Sequence, residues 1–229
     1  MKKAFITIFL INIFIIASAE DTIIKAPDYK AIKKIIKNKS SDNYYPKLME
    51  RYKNSDTSLT IENFKTLYYG FLFTDSYSAY PISQFSDSIS FIFKKDTLLK
   101  NDYMALIKYE NLRLHDCPFN IRDLNVLAYS YSQIGDTLSA YLTYYKLNMT
   151  IKTILSTGDG KEEKSAWHVV AVSHEYDILR VLGFQFGGKQ TLTKNGCDYL
   201  EVKENQYNIK GFYFDVNMVL EKEQELFKK

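Results

Sequence analysis

Chain breakers, thiols and histidines are all scarce in this sequence. Of its 229 residues only four are proline and nine are glycine, and Gly70 is the only glycine before Gly135. That composition excludes collagen-like and Pro/Gly-rich disordered chains, and so long a stretch with few breakers predicts helices. No apolar run is long enough for a comfortable membrane span of about twenty residues, which excludes a multi-pass membrane protein. An excess of one charge is missing too: 30 basic residues face 27 acidic ones. A nearly neutral chain offers no basic face to release counterions from a phosphate backbone, so nucleic acid is excluded as a partner.

What is present begins with a leader. Met1-Lys2-Lys3 precedes an apolar run from Ala4 to Ile16, broken by Thr7 and Asn12, and then Ala17-Ser18-Ala19 stands before Glu20-Asp21. A charged start, a short apolar core and a small-x-small site predict a signal peptide over residues 1–19 that is cleaved. No cysteine follows the apolar core, so a lipid anchor is not expected. The mature protein is expected to be periplasmic or secreted, with no stable membrane span. Export permits a disulfide between Cys117 and Cys197, but two free, apolar-behaving thiols are the preferred expectation.

Two regions are expected in the mature chain. Residues 20–157 read as helical. Pro27-Asp28 opens a helix to about Asn38, Pro46 sits in the first turn of a second, and Thr60 caps a third through Phe64, Leu67, Tyr68 and Phe71. From Asn120 to Leu155, Leu124, Leu127, Ala128 and Tyr131 precede a Gly135-Asp136 turn, followed by Ala140, Tyr144 and Leu147. Small residues at Ala128 and Ala140 let two antiparallel helices approach, and the pattern resembles a tetratricopeptide repeat. Ala105, Tyr109 and Leu112 repeat its second half. Residues 158–229, after a Ser156-to-Lys164 linker, read as a small α+β lobe with an antiparallel sheet. In it Trp167 to Ser173 is a strand, Ser173 caps a helix ended by Gly183, Gly187-Gly188 makes a turn, and Cys197–Lys203 and Ile209–Asp215 form a hairpin before a terminal helix. The expected fold class is α+β: a mostly helical, tetratricopeptide-like N-terminal region followed by that lobe.

The Tyr68-Tyr69-Gly70 segment, Ser173-x-Glu175-Tyr176-x-Ile178-Leu179, Cys197-Asp198-x-Leu200 and Tyr213-Phe214-Asp215-Val216 resemble, together with the helical repeat, the domain-of-unknown-function family DUF4919. The resemblance implies an exported protein of Gram-negative gut anaerobes with helical repeats. Its motifs are packing motifs, so it supplies no catalytic residue.

The residues themselves offer little chemistry. His174-Glu175 lacks the second histidine that a zinc hydrolase needs one helical turn on, and His115-Asp116-Cys117 has no further ligand nearby. Neither a metal nor a cofactor is therefore expected. There is no G-x-S-x-G elbow, Ser41-Asp42-Asn43 lacks its lysine partners, and Gly158-Asp159-Gly160-Lys161 lacks the rest of a phosphate loop. A Cys197–His168 pairing across one sheet is the conceivable nucleophile, and His174 is expected at the surface. The Asp-Ser/Thr-aliphatic triplets at Asp21, Asp87, Asp96 and Asp136 read either as glycosylation acceptors or as helix caps, with Asp96 and Asp136 at helix starts. Of paired tyrosines such as Tyr68-Tyr69, one is expected to pack and the other to reach a surface, where rings suit peptides or sugars.

On the repeat reading, the first helix of the hairpin presents Arg122, Asn125, Tyr129 and Gln133 on one face as a ligand-binding surface. The expected function is a non-catalytic interaction protein with a protein or peptide partner. A hydrolase at the lobe junction and a carbohydrate-binding accessory protein are the alternatives. Oligomeric state is not legible.

Overall fold

Side-chain oxygens start the helices at several of the expected positions. The computed structural model describes residues 24–79 and 85–227; the leader expected over residues 1–19 and the Asp21 triplet lie outside them. Asp28 accepts the Ala31 N–H ahead of α1 (Tyr29–Ile35), and α2 (Tyr45–Lys53) carries Pro46 in its first turn. Thr60 and Asn63 form a reciprocal capping box on α3 (Ile61–Gly70). Each such cap is worth about 1 kcal/mol. After α4 (Ser86–Phe93) comes α5 (Lys100–Asp116). Asp96 does not cap it: the Asp102 carboxylate accepts the Leu99 N–H instead.

The hairpin read between Asn120 and Leu155 is α6 (Ile121–Gln133) and α7 (Thr137–Leu155), capped by Asn120 and Asp136. Gly135 makes the turn at φ +85°, where a side chain is disfavoured. Ala128 and Ala140 are both buried. α5, α6 and α7 follow one another through short turns and pack as antiparallel neighbours.

The C-terminal part holds β1 (Trp167–His168), α8 (Ser173–Val181), β2 (Phe186–Leu192), β3 (Cys197–Val202), β4 (Gly211–Asp215) and α9 (Asn217–Phe227). The sheet order is β1-β4-β3-β2, antiparallel except that β1 runs parallel to β4. The fold is thus α+β, with helices preceding a mostly antiparallel sheet.

Several local expectations are corrected. The strand expected over Trp167–Ser173 stops at His168, because the chain turns to enter α8. Ser173 is the first helical residue rather than the cap, and no side chain caps that end. Gly187 and Gly188 lie inside β2, where the register slips between Phe186 and Gln190, so they make a bulge rather than a turn. Nor is the start of the linker a free tether: Thr157 is buried, and Gly158 presses its backbone against Ser165.

One hydrophobic core runs through both regions. Leu48, Phe64 and Tyr68 from the helices belong to the same buried cluster as Trp167, Ile178, Leu200 and Phe214. A satellite cluster around Ile89, Ile92 and Leu106 sits under α4 and α5.

Candidate functional site

Three consecutive helices contribute side chains at spacings of three and four to one groove of about 400 Å³. α6 supplies its floor through Leu124, Leu127 and Tyr131. Asn111, Leu114 and His115 face it from α5, and Ser139, Leu142, Thr143 and Lys146 from α7. These are single helical faces by their periodicity. Tyr52, Lys53 and Ser55 at the end of α2, together with Pro118, close the rest.

The polar groups of the groove are held in place by the fold. Tyr52 donates its hydroxyl proton to the Pro118 carbonyl at 2.7 Å. Lys146 Nζ lies 5.0 Å from the Tyr52 ring centre and donates to the Lys53 carbonyl at 3.3 Å. Burial holds the Lys146 ammonium below the usual lysine range. Asn111 donates to the Ile107 carbonyl at 2.7 Å and lies 3.3 Å from the Tyr131 hydroxyl. No Asp or Glu is among the lining residues, which include two lysines and His115; Asp116 stands beside that histidine at 2.9 Å. An aliphatic floor, hydrogen-bonding walls and cationic character suit an extended chain bearing acidic groups.

The four residues expected from sequence lie elsewhere on α6. Arg122, Asn125, Tyr129 and Gln133 follow the helical repeat about half a turn from Leu124, Leu127 and Tyr131, on the side away from the groove. Arg122 reaches Asp177 of α8 at 3.4 Å, and Tyr129 meets Tyr103 of α5 edge to face at 6.0 Å. Asn125 is half-buried, and Gln133 is exposed. The sequence carried a signal for the groove, the 111/114/115 and 139/142/143/146 spacings. Choosing that face requires knowing on which side of α6 its neighbours stand.

The residues weighed for catalysis are differently disposed. His174 is buried, against the surface position expected for it. Burial, opposed by a hydrogen bond to the Phe119 backbone, pushes its pKa down to about 4. Cys197, Asp215 and His168 share one row of the sheet, with Asp215 in register with both of the others. The carboxylate therefore separates thiol from imidazole and disfavours the anion: burial first, then Asp215, pushes the Cys197 thiol up to about 11. That is the reverse of an activated nucleophile. His168 Nδ1 lies 3.8 Å from Asp215 and 3.3 Å from the Tyr29 hydroxyl. Both cysteines are free. Tyr68 and Tyr69 are both fully buried, which corrects the expectation that one of them reaches a surface. Among the described residues no group of three or more His, Cys, Asp or Glu is arranged to hold a metal, and no helix is long and apolar enough to cross a membrane.

A family model described as "Domain of unknown function (DUF4919)" matches residues 30–225. No curated protein and no solved structure matches the chain.

Proposed function

From the premise that this chain belongs to the DUF4919 family, we propose that it is a non-catalytic interaction protein that docks an extended, acidic peptide segment of a protein partner. The observation that carries the reading is the groove across α5, α6 and α7, with Leu124 and Leu127 below and Lys146, Asn111 and Tyr131 around it. A three-helix trough of this kind is how tetratricopeptide-like hairpins present a surface, and the Ala128 and Ala140 packing supports that likeness. Apolar side chains of a ligand would sit on the floor, its backbone would meet the amide and hydroxyl groups, and a carboxylate would approach Lys146. The basic start, apolar run and Ala17-Ser18-Ala19 site support an exported protein acting in the periplasm or outside the cell.

The experiment is selection of binders from a displayed peptide library against the purified chain, followed by affinity measurement on two variants. Asn111→Trp places a large ring in the groove from an exposed position and should weaken binding at least about ten-fold. Gln133→Trp on the opposite side of α6 should leave it unchanged. Loss of binding in Gln133→Trp with full binding in Asn111→Trp would overturn the groove as the site.

A further inference from the structure

The buried carboxylates of this protein fall into two classes. Asp123 lies 3.0 Å from Arg113, close enough for an ion pair though not aligned as a hydrogen bond, and Glu110 lies 3.8 Å from the same guanidinium. Asp177 lies 2.8 Å from Arg180 and 3.4 Å from Arg122. Glu175 and Asp198 have no such partner. Glu175, in the first turn of α8, is 0% exposed, and neither of its oxygens receives a hydrogen bond from a donor group. The carboxyl of Asp198 lies within hydrogen-bonding reach of it. Asp198 occupies a core-facing position of β3, in the alternation that also points Leu200 and Val202 inward. Among the described residues no Lys, Arg or His side chain pairs with either.

Two carboxyl groups in a dry site need compensation. One shared proton leaves a net negative charge buried; a divalent cation leaves none. The third group at the site is also an oxygen donor. Gln190, exposed on β2, turns its amide nitrogen to Asp198 Oδ2 at 2.6 Å, and its carbonyl accepts the Tyr176 hydroxyl. Rotating that amide by half a turn presents Oε1 to the carboxylates and lets Nε2 donate to the tyrosine oxygen, and the cation then takes the place of the N–H that Asp198 gives up. We propose that Glu175, Asp198 and Gln190 form a site for a hard divalent cation, Ca²⁺ or Mg²⁺, entering from the Gln190 and Tyr176 side and completed by water. The donor set is all oxygen, with no imidazole or thiolate, which selects hard ions over zinc or copper. Two carboxylates with water are an ordinary set for such ions.

The test uses the full mature chain after chelation, titrated separately with calcium chloride and magnesium chloride while thermal unfolding and heats of binding are followed. One of the two salts should raise the melting temperature by about 5 °C at a hundred-fold excess over its dissociation constant, and the larger shift assigns the ion. Glu175→Gln keeps an amide donor for Asp198, so it should fold and lose the shift. Gln190→Ala, at an exposed position, should weaken binding about ten-fold without abolishing it. Terbium bound in place of calcium should luminesce through excitation of Tyr176, and Tyr176→Phe should lose that emission while still binding. The absence of any shift in the parent chain up to about 10 mM of either salt, ten-fold above the weakest calcium modules, would overturn the site and leave a proton-sharing pair. So would a shift retained in Glu175→Gln. Where that variant fails to fold, a parent chain and Gln190→Ala with equal affinity overturn it instead.

Discussion

The Tyr68 hydroxyl lies 2.7 Å from Nδ1 of His174, joining α3 to α8 in the centre of the core. The same oxygen accepts the Val170 N–H at 3.2 Å, and the imidazole also bonds the Phe119 backbone. With the imidazole neutral, the tyrosine proton goes to Nδ1, and the hydroxyl and imidazole are both partnered. A polar pair in a dry core is tolerated because its members satisfy one another.

Tyr68→Phe removes one oxygen and leaves both Nδ1 of His174 and the Val170 N–H without a partner. The expected cost is about 2–4 kcal/mol, more than the net worth of the bonds lost, because buried groups remain unpaired. Urea unfolding of parent and variant measures it; a cost below about 1 kcal/mol would contradict the account.

Glu110 sets a pH dependence of opposite sign to that of an ordinary acid. Burial, reinforced by Asp123 and opposed by Arg113, pushes its pKa up to about 8 from an ordinary 4.5. The folded state therefore holds a proton that the unfolded state releases, and this group's contribution to stability is complete below 4.5 and falls as pH rises toward 8. Glu110→Gln should gain stability relative to the parent across that window, by a few kcal/mol at most. Parallel unfolding curves at pH 5 and pH 8 check the sign.

Lys146 is the lysine that α7 contributes to the groove. Lys146→Met keeps most of the stem that packs near Tyr52 and removes the charge. Affinity for a selected acidic peptide should fall about ten-fold, and its dependence on salt should flatten. Titrations at low and high ionic strength read both effects.

Gly160 sits at φ +67°, and a methyl group there would lie 2.6 Å from the Trp167 ring. That ring is fixed by its own N–H, which donates to the Gly158 carbonyl at 2.9 Å. Gly160→Ala should cost about 2–4 kcal/mol from left-handed backbone and overpacking together, seen as a lowered melting temperature. Gly183→Ala has an equally positive φ with open space around it, so it should cost only about 1 kcal/mol.

Local chemistry made much of the fold legible. Thr60, Asn120 and Asp136 announce helices because a short polar side chain serves the first free N–H groups, whatever the surroundings. Gly135 and Gly183 mark ends because their backbone favours no other residue. Ala128 and Ala140 told where two helices come close. What stayed hidden depended on distant partners. His174-Glu175 reads as a polar helix start, and only Tyr68, 106 positions away, makes the histidine a core residue. Asp198 stands where β3 would ordinarily place an apolar residue, and its meeting with Glu175 follows from how α8 lies on the sheet. Which side of α6 lines the groove is set by α5 and α7, so periodicity within α6 alone led to Arg122, Asn125, Tyr129 and Gln133 and did not reveal the groove along Leu124, Leu127 and Tyr131.

The continuous core has a consequence for how this protein can be handled and can have diversified. Ending the chain at Thr157 strips away Trp167, Ile178 and Phe214, and with them the apolar cover over Tyr68 and Phe119. The helices are therefore not a cassette that recombination could splice onto another partner, and a fragment made for binding studies would expose an oily, sticky scar. Only exposed positions on the trough walls, such as Asn111 and His115, can be replaced without disturbing what lies beneath.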